Sequence, residues 1–141
     1  MHEIIKNLFL GSDADHDAAA AKHWPILVAA KDGPHGHRNA LNYTGRSAPK
    51  GEQFYFVDTG NIRHLNLIDP DNPALIPKQV INAGLEFIKK YQEEGVPILV
   101  HCNQGHSRSP SVVLAYLRTV GEMPNGFLQS EKKFKTIYLF L

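Results

Sequence analysis

Residues 96–117 read VPILVHCNQGHSRSPSVVLAYL, and this stretch decides the fold. It opens with a short, continuous apolar run, residues 96–100, of the kind that is buried on both faces of a parallel sheet. The pattern over residues 111–121 is that of an apolar helix, which Gly121 closes. A polar decapeptide, residues 101–110, joins the two and holds Cys102, the only cysteine of the chain.

Outward from this stretch, strand and helix patterns alternate along the chain. Ser12 is a suitable N-cap for a short helix, and Pro77 and Gly95 suit the start and the end of a longer one. We predict strands over residues 3–10, 24–30, 54–58, 62–68 and 96–100, and helices over 13–23, 77–94, 111–121 and 124–141. This order predicts one α/β domain over residues 1–141, with a central, mostly parallel β-sheet flanked by helices on both faces.

Composition narrows the possible partners and the compartment. Fifteen basic and fourteen acidic residues leave a net charge of +1 in 141 residues, so we expect no nucleic-acid partner and no anionic membrane surface. No apolar run approaches the length of about twenty residues that a membrane helix needs. A lone cysteine cannot form an internal disulfide, and the N-terminus lacks a signal-peptide pattern, so we expect a cytoplasmic protein.

The decapeptide has the chemistry of a phosphate site. A loop between a strand and a helix start points successive N–H groups at one anion, and the helix dipole strengthens the attraction. Gly105 allows a close turn of the backbone, and the Arg108 guanidinium can hold two phosphate oxygens. Such surroundings lower the pKa of a thiol, which predicts Cys102 as a nucleophile directed at phosphorus without a metal or other cofactor. The predicted phosphate-binding residues, where a phosphate or sulfate ion would lie, are Asn103, Gln104, Gly105, His106, Ser107 and Arg108.

These residues carry a family resemblance. HCNQGHSRSP resembles the His-Cys-x-x-Gly-x-Ser-Arg-Ser signature of the cysteine-dependent dual-specificity protein phosphatases, within the protein tyrosine phosphatase superfamily. The resemblance implies that Cys102 forms a phosphocysteine and that Arg108 binds the phosphate. It also implies that Ser109 helps the thiolate to leave in the second step and that His101 tunes the pKa of the thiol.

The leaving group of the first step needs a proton, which a carboxylic acid can supply. The family resemblance implies an aspartate about thirty residues before the cysteine. Asp69 ends the strand HLNLI, and Asp71 lies within the proline-rich segment that follows. We favour Asp69 because of its place at a strand end, while Asp71 fits the usual spacing better.

We therefore predict a protein tyrosine or dual-specificity phosphatase that acts on phosphotyrosine, with or without phosphoserine and phosphothreonine. One alternative is a catalytically weak phosphate-binding module, and another is a phosphatase of a small, non-protein phosphate ester. A thiol oxidoreductase is a further alternative, but this chain has no second cysteine with which Cys102 could form a disulfide. Only residues 103–141 follow the cysteine, from which we expect a shallow, permissive pocket.

The loop over residues 31–53 has no periodic pattern, although it is rich in Gly, Pro and basic residues. Lys31, His37 and Arg38 belong either to a solvated surface or to a rim that attracts the phosphorylated substrate. His35 and His37 are close in sequence, yet no Cys/His grouping has the spacing of a structural zinc site, so we expect no metal.

Overall fold

The computed structural model describes residues 1–68, 76–103 and 108–120, without the side chains of Arg108 and Pro110. The final helix predicted over residues 124–141 lies outside this description. The strands are β1 (His2–Ile5), β2 (Leu8–Ser12), β3 (Ile26–Val28), β4 (Phe56–Thr59), β5 (Ile62–Leu65) and β6 (Ile98–Cys102). The helices are α1 (Asp13–Ala21), α2 (His37–Leu41), α3 (Lys78–Glu94) and α4 (Arg108–Thr119).

The six strands form one sheet in the order β1-β2-β6-β3-β5-β4. β2, β6, β3 and β5 run parallel to one another, and β1 and β4 are antiparallel at the two edges. The prediction of a central, mostly parallel sheet is therefore confirmed. β6 lies between β2 and β3, which explains its continuous apolar run.

Each face of the sheet carries its own apolar core. Leu27 and Val100 pack under α3 and α4 on one face, while Ile26, Val28 and Leu99 pack with α1 on the other. All five are fully buried, and burial of each stabilises the fold by roughly 1.5–3 kcal/mol. The prediction of helices on both faces is thus confirmed. The members that α3 and α4 contribute to the larger core are Val80, Ala83, Phe87, Ile88, Val112, Val113, Tyr116 and Leu117.

The single strand predicted over residues 3–10 is wrong, because the structure has a hairpin there. β1 and β2 pair antiparallel around a turn in which Asn7 has a φ of 69°. Asparagine adopts this left-handed conformation more readily than most residues, and its side chain here donates to the carbonyl of Gly95 over 3.2 Å. Because the residues on both sides of the turn are apolar, the sequence pattern gave no sign of the turn.

One further prediction is confirmed by the structure and two are refined. α3 ends at Glu94, and Gly95 follows it with a φ of 70°, as the sequence predicts. α4 begins at Arg108 rather than at residue 111, so Ser109 belongs to its first turn. The segment over residues 31–53, predicted without regular structure, contains α2.

Candidate active site

The carboxyl ends of three parallel strands meet at one edge of the sheet. β6 ends at Cys102, which pairs with Ser12 at the end of β2. On its other side, His101 pairs with Val28 at the end of β3. Ligands of open α/β sheets bind beyond the carboxyl ends of the strands, so Cys102 lies where a site is expected.

The Cys102 thiol is in contact with the hydroxyl of Ser109. The Ser109 Oγ donates a hydrogen bond to the Cys102 Sγ over 3.2 Å. Both residues are buried, Cys102 with 2% of its surface exposed and Ser109 with none. A donor aimed at sulfur stabilises a thiolate more than a neutral thiol, because the charged acceptor makes the stronger hydrogen bond. The structure thus brings together two of the predicted site residues.

Most of the other predicted site residues lie outside the described residues, so their roles stay predictions. They are Asp69, Gln104, Gly105, His106 and Ser107, together with the side chain of Arg108 and the alternative acid Asp71.

Asn103 begins the predicted phosphate-binding segment and packs against the loop that follows β3. Its carbonyl accepts a hydrogen bond from the Asp13 N–H over 3.4 Å. Gly33 approaches its side chain so closely that a Cβ at position 33 would overlap the Asn103 oxygen. Gly33 also has a φ of 97°, a conformation that favours glycine. Residues near Gly33 therefore form one side of the site.

His101 points to the face opposite the thiol, since neighbouring side chains of a strand alternate. Its ring is completely buried. Nδ1 lies 3.2 Å from the Cys102 carbonyl oxygen and 3.5 Å from Oδ1 of Asp13, while Nε2 lies 2.8 Å from Nδ1 of His16. Burial lowers the pKa of His101 to about 4, against an opposing effect of the hydrogen bond to Cys102.

No local sequence pattern singles out His16, which lies in α1 and is itself buried. Burial, reinforced by the neighbouring His35, lowers the pKa of His16 to about 4. The His35 ring stacks on the His16 ring with 3.5 Å between centroids and an angle of 3° between planes. His16 and His101 are 85 positions apart in the chain, so no local pattern could have indicated their contact.

The basic residues of the loop after β3 act as internal cross-links. His37 is completely buried; it donates to the Gln53 carbonyl over 2.7 Å and accepts from the Tyr43 hydroxyl over 2.9 Å. Arg38 binds the Asp32 carboxylate over 2.7 Å, and the Lys31 ammonium donates to the Arg46 carbonyl. These contacts favour a structural role for the three residues over a freely solvated surface.

A cavity of about 200 Å³ opens at the same edge of the sheet, beside the end of β5. Lys31, Phe54, Leu67 and Ile68 are among its lining residues. Within the described ranges, no three ligating side chains converge in a way that could hold a metal ion. None of the helices seen in those ranges combines the length and the apolar character needed to cross a bilayer.

Comparison with known proteins places this geometry in a family. The model of the dual specificity phosphatase catalytic domain matches residues 38–125. The dual specificity protein phosphatase PHS1 of Arabidopsis thaliana is 52% identical over 62 residues, which make up 44% of this chain and 6% of the plant protein. The chain therefore matches only a small part of that relative's length.

Solved structures share the fold. The crystal structure of DUSP15 superposes with a TM-score of 0.63 at 20% identity, over 96% of this chain and 74% of the other. A leucine rich repeat and phosphatase domain containing protein from Entamoeba histolytica gives a TM-score of 0.63 at 15% identity, over 99% and 79%. At such low identity, these likenesses establish the fold alone.

The two buried histidines predict how stability depends on pH. We expect the free energy of unfolding to fall as the pH is lowered from 6.5 towards 4, because both rings have a folded pKa of about 4. In this window the unfolded rings bind protons that the folded rings do not, so acid favours unfolding; above the ordinary value of 6.5 the contribution is complete. Urea unfolding at about pH 5 and about pH 7.5 measures the loss. His16→Asn has one buried ring fewer, so its free energy of unfolding should fall less between the two pH values than that of the wild type. An equal fall in both proteins would contradict the prediction.

Proposed function

The chain belongs to the dual specificity phosphatase family, and on that premise we propose that it hydrolyses phosphate monoesters of proteins through a phosphocysteine at Cys102. The observation that carries the proposal is the hydrogen bond from Ser109 to the Cys102 sulfur at the carboxyl end of β6. A strand end that faces a helix start is a natural anion site, and a hydroxyl directed at sulfur suits a thiolate nucleophile.

In the first step, the Cys102 thiolate attacks phosphorus, a P–S bond forms and the P–O bond to the leaving group breaks. Arg108 and the amides of residues 103–108 hold the three non-bridging oxygens and stabilise their charge. Asp69 donates its proton to the departing oxygen. The products of this step are the dephosphorylated hydroxyl compound and the phosphocysteine.

In the second step, a water molecule gives a proton to the Asp69 carboxylate and attacks phosphorus. The P–S bond breaks, and inorganic phosphate leaves. Ser109 stabilises the departing Cys102 thiolate by its hydrogen bond, a role that the 3.2 Å contact supports. His101 tunes the thiol through the backbone, since its ring lies on the opposite face of the sheet.

The proposed catalytic domain extends over residues 1–141, beyond the matched range. β2 borders β6 along its whole length, and α1 supplies the partner of His101, so residues before position 38 belong to the site.

The proposed substrates are phosphotyrosine proteins, with or without phosphoserine and phosphothreonine; a small phosphate ester is the alternative. A phosphate or sulfate ion would occupy the loop, and a reducing compartment such as the cytoplasm suits an enzyme that needs a free thiolate.

Replacement of the nucleophile tests the proposed activity. We expect wild-type protein to turn over an aryl phosphate and Cys102→Ser to lose at least about a thousandfold in kcat, because a serine hydroxyl is not ionised at neutral pH. Calorimetric titration with inorganic phosphate should show that the variant still binds the anion. A wild type that binds phosphate but does not turn over would identify a binding module and overturn the proposal.

Removal of the hydroxyl beside the sulfur tests the second step. Ser109→Ala should lower kcat about 10- to 100-fold, because one hydrogen bond to a charged group is lost, while the first-step burst of aryl product remains. The matched control is Thr119→Ala at the other end of α4, where the hydroxyl donates to the Ala115 carbonyl over 2.9 Å. Stopped-flow and steady-state rates measure both effects; equal effects at the two positions would count against the role.

A pair of conservative variants distinguishes the two acids. Asp69→Asn should lower kcat about a hundredfold and remove the decline in rate on the alkaline side, because a general acid acts only while protonated. Asp71→Asn is the control and should retain both the rate and the decline. The measurement is kcat against pH for an aryl phosphate. The reverse result would assign the proton to Asp71, and small effects from both would refute a general acid at either position.

A further inference from the structure

Two buried imidazoles meet edge to face between α1 and the carboxyl end of β6. The His16 and His101 rings are perpendicular, with 5.1 Å between centroids, and Nδ1 of His16 lies 2.8 Å from Nε2 of His101. His16 is 6% exposed and His101 is not exposed at all, so water does not replace this contact. At such a distance one ring must donate a proton and the other must accept it.

The neighbours of His101 decide which ring donates. The Cys102 carbonyl oxygen, 3.2 Å from Nδ1, can only accept, and the Asp13 carboxylate oxygen at 3.5 Å lies on the same side. Nδ1 of His101 therefore carries the proton. In a neutral ring Nε2 is then an acceptor, so the proton in the contact belongs to Nδ1 of His16.

We propose that His16 is a positioning residue for the thiol site: its Nδ1–H donates to Nε2 of His101 and holds that ring in the tautomer that binds the Cys102 carbonyl. Its catalytic consequence rests on the proposed phosphatase function. The carbonyl of Cys102 and the N–H of Asn103 belong to one planar peptide unit and point in opposite directions. A donor that holds this carbonyl therefore also orients the first amide of the predicted anion-binding loop.

The surroundings keep both rings neutral, as this hydrogen-bond chain requires. Burial is the largest cause of the lowered pKa of each ring, and the stacked His35 disfavours a charge on either ring. The other charged or titratable groups that face the pair are Asp17 and His64 towards His16, and Asp15 and Asp13 towards His101. With a pKa of about 4 for each ring, neither is charged at neutral pH.

The tautomers can be observed directly, without any enzymatic assay. Long-range ¹H–¹⁵N correlation spectra at neutral pH distinguish imidazoles protonated at Nδ1 from those protonated at Nε2. We expect His16 and His101 of the wild type to be protonated at Nδ1. A wild-type His101 protonated at Nε2 would overturn the proposal, even if no variant folds.

Two substitutions test the consequence for the thiol. His16→Leu removes the donor, so the Nδ1 tautomer of His101 should be lost and the pKa of the Cys102 thiol should rise by about one unit, the size of one hydrogen bond. His16→Asn keeps an N–H near the position of Nδ1, so its alkylation rate at a given pH should stay within about twofold of the wild-type rate. The rate of alkylation by iodoacetamide, measured against pH, gives the thiol pKa. A loss of packing alone would not change this pKa together with the tautomer of His101.

The outcomes separate this inference from the proposed function. Unchanged tautomer and thiol pKa in folded His16→Leu would overturn the positioning role, whatever the phosphatase activity. Absence of aryl phosphate turnover by the wild type would reject the phosphatase alone. A shift of both properties in His16→Leu, with recovery in His16→Asn and a matching loss in kcat/KM, would support the whole proposal.

Discussion

The alternation of side chains along β6 is the constraint on which the site depends. Because neighbouring residues of a strand point to opposite faces, His101 and Cys102 cannot share an environment. The thiol faces the core of α3 and α4 and meets Ser109, while the imidazole faces α1 and meets His16. One strand end thus couples both faces of the sheet to the same loop.

This arrangement explains why polar groups tolerate such deep burial. A buried imidazole without a partner would destabilise the fold, but both ring nitrogens of His101 have partners within hydrogen-bond distance. The same holds for His37, which joins Tyr43 and Gln53 within the loop after β3. Neutral histidines therefore act here as rigid connectors, and they stay neutral because charging them within the core is costly.

Local patterns predicted most of the fold. Apolar periodicity located β3, β6 and α3, and the parallel sheet followed from their order. The patterns failed where a single residue changed the chain direction, as at Asn7, whose left-handed conformation splits one apolar run into two strands. They also failed over residues 31–53, where α2 forms although no period indicates it. His37, buried at the start of α2, binds Tyr43 and the Gln53 carbonyl further along the segment.

The sequence by itself predicted the chemistry at Cys102, since the thiol, the glycine, the arginine and the serine follow one another within a few residues, and a strand before them and a helix after them are visible as local periods. Only the tertiary structure decided which side chains meet around that segment: the contact of His16 with His101 and the approach of Gly33 to Asn103. The physical reason is that these contacts join segments tens of residues apart, and their partners are chosen by strand order and side-chain parity, which no local stretch of residues contains.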